Sequence, residues 1–340
     1  MNLETLYSRL HEESLVSTAE APAMAPLEPP APWYTRAMLG FAGWIAGLFL
    51  VSFFGSVIVM LFRDGPGMLL LAAGLLLGAV MIDRRLRGEV MAQFALALSM
   101  AGQAFYALGF DKLFAARDNE AAAWALVVLE VALFAVLKSS LHRVMCVAIG
   151  AGALYYALHR HGLAGAAAGL IAVTFAVLWA HEDRWRASRH GPAGAALGWG
   201  LALALGAWAA PSFFTSGEGT VRVLEGAGYG LGLMTYAALA TRGAAVRDRV
   251  LVLAAAGLLA LAAHAAPGVI AGTLIVVAGF GARHRVMAAL GALGIVAYLG
   301  AYYYQLDQTL LAKAGALAAT GLALLIARLV VTRAWKEERP

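Results

Sequence analysis

Long apolar stretches alternate with short polar clusters along nearly the whole chain. A helix of ~20 apolar residues crosses a hydrocarbon core of ~30 Å, and most of the apolar stretches approach that length. A transmembrane β-strand would be only ~10 residues long and would alternate apolar with polar positions. The pattern therefore predicts an all-α, polytopic membrane bundle of about twelve transmembrane helices, at 37–62, 66–82, 91–110, 121–137, 141–158, 162–180, 192–210, 222–240, 249–266, 268–282, 286–304 and 308–330.

The residues outside the apolar stretches suggest three further parts. Residues 1–17 carry apolar side chains at helical spacing, which predicts a short amphipathic cytoplasmic helix. Residues 18–33 are rich in proline and alanine and predict an extended linker. The multispan membrane domain then covers 34–332, and 333–340 form a cytoplasmic tail. The short stretch 268–282 is compatible with a full span or with a re-entrant segment.

Composition and charge give the orientation. Charged residues make up 13% of the 340 residues, against ~25% in soluble domains. Most of the 25 Lys and Arg residues lie in alternate loops and in the two tails, and positive loops stay on the cytoplasmic side. We therefore expect both termini to be cytoplasmic, in a multi-pass protein of the bacterial cytoplasmic (inner) membrane. The Lys and Arg residues behind the net charge of +5 lie in these loops, where they set orientation, so the expected partner is the lipid bilayer and not nucleic acid.

Glu130 is the clearest polar residue inside a predicted span. It lies about ten residues into 121–137, which is ~15 Å along a helix and near the bilayer midplane. Intramembrane charged groups usually face a cavity or a partner. Two interpretations stay open: a carboxylate that responds to a proton or a cation, or a neutral carboxylic acid hydrogen-bonded to a neighbouring helix.

Other polar residues fall in the outer half of the predicted bundle. Tyr155 is among them, and Lys313 lies about five residues into the last span, where its side chain could also extend to the surface. A cavity open to the outside would collect such groups, whereas at an interface each would act locally. The candidate intramembrane polar or ligand site consists of Glu130, Lys313, Glu225, His264, Asp307, Gln103 and Arg222.

Known catalytic signatures are absent from the sequence. It has no phosphate-binding glycine loop, no G-x-S-x-G and no H-E-x-x-H. Histidines at 159 and 161 are weak evidence for a metal because no acidic or cysteine ligand lies close in sequence. Cys146, the one cysteine, excludes an intramolecular disulfide. We therefore expect no catalytic residues, no cofactor and no metal, and we assign the cluster 181–186 to a solvated basic loop.

GAVMIDRRLRG, residues 78–88, is similar to a loop signature of major facilitator transporters. It departs from that signature because Gly78 stands five residues before Asp83 instead of four, and because no glycine separates the arginines. Positive charge on the cytoplasmic side accounts for these arginines without any such relationship.

Two other stretches resemble a bacterial membrane family, domain of unknown function 4401. They are PWYTRAMLGFAGWIAGLFL at 32–50 and YYYQLDQTLLAKAGALAATGLALL at 302–325, near the two ends of the membrane portion. The family's lysine is commonly followed by serine, and Ala314 stands there in this chain. The resemblance implies no activity. It does imply a genomic neighbourhood with a second multispan protein and a small membrane-anchored protein that carries a Gly-Asp-Tyr motif.

These observations lead to two functional expectations. The first is a non-enzymatic subunit of a cell-envelope membrane complex, in contact with neighbouring membrane proteins. The second is a small-solute or lipid transporter with a polar cavity in the outer leaflet.

Overall fold

The structure, a computed structural model, describes residues 64–85, 88–114, 120–208, 219–264 and 266–305, together with a few isolated positions. Every regular element in these ranges is an α-helix, which confirms the all-α prediction for this part of the chain. The helices are α1 Gly65–Arg85, α2 Glu89–Phe114, α3 Glu120–Val136, α4 Ser140–Arg160, α5 Ala164–Ala180, α6 Glu182–Arg186, α7 Gly191–Trp208, α8 Gly219–Ala240, α9 Val246–Ala262, α10 Pro267–Gly281 and α11 Arg285–Gln305.

Ten of the predicted spans, from 66–82 to 286–304, each fall on one of these helices. The predicted spans 37–62 and 308–330 lie outside the described ranges, and so do residues 1–33 and the tail 333–340. The short helix α6 was not predicted, because its residues were assigned to a loop.

Length and composition allow three of the described helices to cross a membrane: α1, the Val90–Phe114 part of α2, and α4. Four shorter apolar helices are Ala164–Ala180, Gly191–Ala207, Pro267–Gly281 and Arg285–Ala301. The described helices therefore support fewer crossings than the twelve that the sequence predicts. The number of spans and the side on which the termini lie stay predictions.

Helices that follow one another along the chain form antiparallel pairs. α1 packs against α2, α3 against α4, and α10 against α11. The pairs are joined by longer-range packing of α5 against α8 and of α4 against α7. α10 contacts α5, α7, α8 and α11, so this helix of 15 residues lies inside the bundle.

The close approach of α5 and α8 depends on glycine. A Cβ atom added to Gly228 of α8 would lie 2.7 Å from the backbone nitrogen of Gly169 in α5, and it would also collide with the carbonyl oxygen of Gly165. Small residues let helix backbones approach where lipid offers no hydrophobic force between helices. The close approach of α5 and α8 therefore requires glycine at position 228.

Two apolar clusters form the interior of the described part. The larger joins α5, α7, α8 and α10 and contains Phe175, Leu205, Tyr229 and Leu274, all nearly fully buried. The smaller contains Leu76, Leu133, Leu137 and Cys146, from α1, the α3–α4 region and α4. Both clusters include residues of α4: Cys146 belongs to the smaller cluster and Ala151 to the larger.

Two helices end in the same hydrogen-bonded turn. After α4, the backbone N–H of Gly162 donates to the carbonyl of His159, and that of Leu163 donates to Leu158. This is a Schellman motif, which needs a left-handed residue, and Gly162 has φ of 74°. After α10 the equivalent bonds run from residue 283 to 280 and from 284 to 279, but the left-handed residue there is Arg283, with φ of 56°.

Candidate functional site

Glu130 lies on the buried side of α3, with 2% of its surface exposed. Neither carboxyl oxygen has a hydrogen-bond partner in the part of the chain that the structure describes. Its stem packs against α4, where a Cβ atom added to Gly150 would lie 3.1 Å from the Glu130 Cβ. The thiol of Cys146, also on α4, is the polar group beside the Glu130 carboxyl. The sequence predicted a position near mid-span for this residue, and the structure shows it buried against α4 with only the weakly donating Cys146 thiol beside it among the described residues.

Glu130 lines a cavity of about 360 Å³ between α3, α4, α5 and α7. We refer to it as the Glu130 cavity. Its other walls are almost entirely apolar and include Val127, Phe134, Leu154 and Leu201. Heteroatoms come only from Glu130, Cys146 and Thr174 among its lining side chains. A carboxyl group in such surroundings is costly to bury without a strong hydrogen-bond partner.

Glu225 belongs to a different group of residues, between α4 and α8. Its carboxylate accepts a hydrogen bond from the hydroxyl of Tyr155, and only 3% of the residue is exposed. Arg222, one turn earlier on α8, and His159 of α4 interact electrostatically with it. The His159 ring also stacks on Tyr155, at 5.8 Å between ring centroids. The structure therefore brings together Glu225, Arg222 and Tyr155, three of the polar residues assigned to the outer half.

The remaining candidates lie elsewhere. Gln103 is buried within α2 and donates from Nε2 to the hydroxyl of Ser99 at 3.2 Å. His264 is exposed and its Nδ1 lies 2.7 Å from the Leu261 carbonyl, so its ring stays near its own helix end. Asp307 and Lys313 lie outside the described residues.

The candidate residues thus do not form one site. Glu130 and the Glu225 group are both next to α4, but they contact it at Cys146 and Tyr155 respectively. These two positions are nine residues apart, or ~13 Å along a helix. The described candidates consequently divide into the Glu130 cavity, the Glu225 group, and the separate residues Gln103 and His264.

A third polar group was missed by the sequence analysis. Glu182 of α6 is only 9% exposed, which contradicts the prediction of a solvated loop for residues 181–186. Its Oε1 lies 2.8 Å from Arg186 Nε and 3.0 Å from His284 Nε2. His284 contacts Trp179 and Trp199 edge-on, at 5.4 and 6.0 Å between ring centroids.

The reason for this miss is the distance along the chain. Glu182 and His284 are separated by 102 residues, and the packing of α10 and α11 against α7 brings the α10–α11 turn to α6. The signal that the sequence offered for a buried Glu182 was the pair of tryptophans that flank it, Trp179 and Trp185. In the structure both indole N–H groups donate to backbone carbonyls. The exposed neighbours Asp183 and Arg184 do agree with the prediction.

A buried histidine was also missed by the sequence analysis. His142, at the start of α4, is 1% exposed and both ring nitrogens lack hydrogen-bond partners in the described ranges. At the other end of α4, His161 lies 3.0 Å from a carboxylate oxygen of Glu120 in α3, whereas Nδ1 of His159 lacks a hydrogen-bond partner in the described ranges. Among the described residues, no group of three or more His, Cys, Asp or Glu side chains is arranged to hold a metal ion.

A protein-family model described as Domain of unknown function (DUF4401) matches residues 32–334 of the chain. The chain belongs to this family. The match covers all eleven described helices of this DUF4401 protein, including the Glu130 cavity, and it extends over Asp307 and Lys313. No curated protein and no solved structure matches the chain.

Proposed function

We propose that this DUF4401 protein is a non-enzymatic subunit of a membrane complex in the bacterial inner membrane. In this proposal it crosses the membrane about twelve times, with both termini in the cytoplasm. Support comes from the match in position between ten predicted spans and ten helices, and from the alternation of positive loops.

Exposed apolar surface is the observation that carries the proposal. Within the three helices long enough to cross a membrane, the apolar windows are only 28–39% buried inside the molecule. Large apolar side chains such as Leu70, Val128, Leu258 and Phe280 are 68–74% exposed. Extensive exposed apolar surface marks membrane or protein contacts. Lipid and neighbouring subunits together would cover it.

The polar groups favour a structural role over catalysis. Tyr155 and Glu225 link α4 to α8, and Glu182 and His284 link α6 to the α10–α11 turn. Each of these two pairs is a contact between elements, and neither pair lines the Glu130 cavity. The resemblance to the 4401 family adds a neighbourhood of membrane proteins as the source of partners.

The test is site-specific photo-crosslinking in native membranes at native expression level. A photoreactive residue at Leu258, 70% exposed on α9, should give a discrete protein adduct, because this side of α9 faces outward. The same residue at Ala256, the buried position of that helix, is the matched control and should give none. Only lipid adducts at Leu258, together with elution as a monomer in mild detergent, would contradict the subunit proposal.

A transporter of small solutes or lipids is the second candidate function. The Glu130 cavity favours it, because a buried carboxyl group at mid-helix is typical of substrate and ion pathways. Glu130→Gln keeps the size of the side chain and removes its charge. We expect this variant to lose an uptake or growth phenotype that Glu120→Gln, on the same helix, retains. Equal behaviour of Glu130→Gln and the wild type would remove the transporter candidate.

A further inference from the structure

The Glu130 cavity combines adequate volume with an unsatisfied polar group. Its volume of about 360 Å³ falls within the ~300–1,000 Å³ of typical small-molecule sites. Buried polar groups are nearly always hydrogen-bonded, yet neither oxygen of Glu130 makes a hydrogen bond of normal geometry to a described residue. The Cys146 thiol beside it is only a weak donor. Because the residue is 2% exposed, bulk water does not satisfy these oxygens. A ligand that fills the cavity would satisfy them.

The walls define the body of that ligand. Apart from Glu130, Cys146 and Thr174, every lining residue is aliphatic, aromatic or glycine. A molecule with several polar groups would leave most of them unpaired against these walls, at a cost for each. The cavity therefore fits an aliphatic molecule with a single polar group.

The opening of the cavity shows how the molecule would enter. Three lining residues, Val131, Leu170 and Thr174, are exposed on the outer surface of α3 and α5. All three lie in the middle parts of their helices and not at the ends. The opening is therefore lateral, which gives access from the surrounding lipid and not from a loop region.

We propose that the Glu130 cavity binds a lipid-like molecule that has an aliphatic body and one hydroxyl group. A neutral carboxylic acid has one O–H donor and one carbonyl acceptor, and a hydroxyl group has one donor and two acceptor lone pairs. One hydroxyl thus pairs with both oxygens of Glu130 and introduces no charge into an apolar cavity. An ammonium group would instead require a buried ion pair, whose desolvation is expensive.

The proposal deepens the transporter candidate and does not depend on the subunit proposal. Binding is measured directly by the protection of Glu130 from dicyclohexylcarbodiimide, an apolar reagent whose C=N bond adds the O–H of a carboxylic acid. The purified full chain is placed in lipid nanodiscs and the labelled peptide is quantified by mass spectrometry. Glu130→Gln identifies the signal, and the peptide with Glu225, which is hydrogen-bonded to Tyr155, is the internal reference.

Dodecanol, dodecane and dodecylamine are then compared at equal mole fraction in the membrane. We expect dodecanol to slow the labelling of Glu130 about tenfold, from two hydrogen bonds to the carboxyl group, and dodecane to change it less than about twofold, since it makes none. Thr174→Phe narrows the opening and should reduce the protection by dodecanol. Val128→Phe is the matched control, because Val128 is exposed on α3 and does not line the cavity.

Three results would overturn the proposal. Equal protection by dodecane and dodecanol would show that no head group is recognised, and stronger protection by dodecylamine would assign a cationic ligand. Labelling of Glu130 that appears only in the Lys313→Met variant would show that Lys313 of the same chain is the partner of the Glu130 carboxyl group. Protection by dodecanol without any uptake phenotype in Glu130→Gln would leave the proposed ligand in place and remove only the transporter function.

Discussion

Single residues show most clearly what the sequence does and does not determine. The position of Glu130, nine residues after the start and seven before the end of the predicted span 121–137, was sufficient to predict its depth near mid-span. Its burial against α4 comes from the structure. The pairing of Glu225 with Tyr155 was not predictable, since 70 residues separate them. The predicted orientation had placed Glu225 and Tyr155 in the outer half, without pairing them. Depth is a property of one span, whereas a partner depends on which helices pack together.

The Tyr155–Glu225 hydrogen bond leads to the prediction at this scale. Tyr155→Phe removes the donor and leaves a buried carboxylate oxygen unsatisfied, which costs about 1–3 kcal/mol in the free energy of unfolding. Heating exposes Cys146, the one cysteine of the chain and fully buried, so a thiol-reactive fluorophore reports the unfolding midpoint. We expect the midpoint to fall by a few degrees.

Tyr156→Phe is the matched control for this variant. Tyr156 is the next residue on α4 but is 41% exposed, so its hydroxyl is accessible to solvent or headgroups. Its midpoint should stay within error of the wild type. A similar decrease in both variants would show that the Tyr155 hydroxyl contributes no more than an exposed one.

At the scale of helices, period and length predicted the described elements well. Each of the ten comparable spans falls on one helix, because an apolar stretch bounded by charges defines a helix with little help from its neighbours. The assignment of 181–186 to a solvated loop was wrong for Glu182, because α6 packs onto α7 and its buried side meets the α10–α11 turn. A helix of five residues gives no periodic signal, so only tertiary contacts explain it.

That turn also provides the prediction for this scale. Arg283 occupies the left-handed position of a Schellman motif in which Gly162 occupies the equivalent position after α4. A side chain in this conformation costs roughly 1–2 kcal/mol. Arg283→Gly should therefore raise the unfolding midpoint, and Gly162→Ala should lower it, in the same fluorophore assay.

The control separates backbone strain from charge. Arg283→Ala removes the guanidinium group but retains a Cβ atom, so it should not reproduce the increase seen with glycine. If alanine and glycine raise the midpoint equally, the strain explanation is wrong and the effect comes from charge. If neither raises it, the left-handed conformation of Arg283 carries no appreciable cost.

For the whole molecule, the sequence predicts orientation more strongly than it predicts assembly. Arginines at 184, 186 and 189 lie in the turn between α5 and α7, whereas the turn between α4 and α5 carries one arginine between two histidines. This asymmetry follows the rule for cytoplasmic loops. The way in which the helices pack could not be read from the sequence, because Gly228 looks like any other of the 38 glycines until α5 lies against it.

The orientation leads to the last prediction, which uses cysteine accessibility. In a Cys146→Ala background, cysteine is introduced at Leu163, in the α4–α5 turn, or at Ala187, in the α6–α7 turn. Both positions are exposed, and neither change alters the charge of a loop. If both termini are cytoplasmic, a membrane-impermeant maleimide should label Leu163→Cys in intact spheroplasts and should label Ala187→Cys only after permeabilisation.

Labelling of Ala187→Cys in intact spheroplasts would reverse the orientation and would place the Glu225 group, which lies beside the α4–α5 turn, on the cytoplasmic side. The Glu130 cavity opens at mid-helix, so its lateral access would remain the same in either orientation.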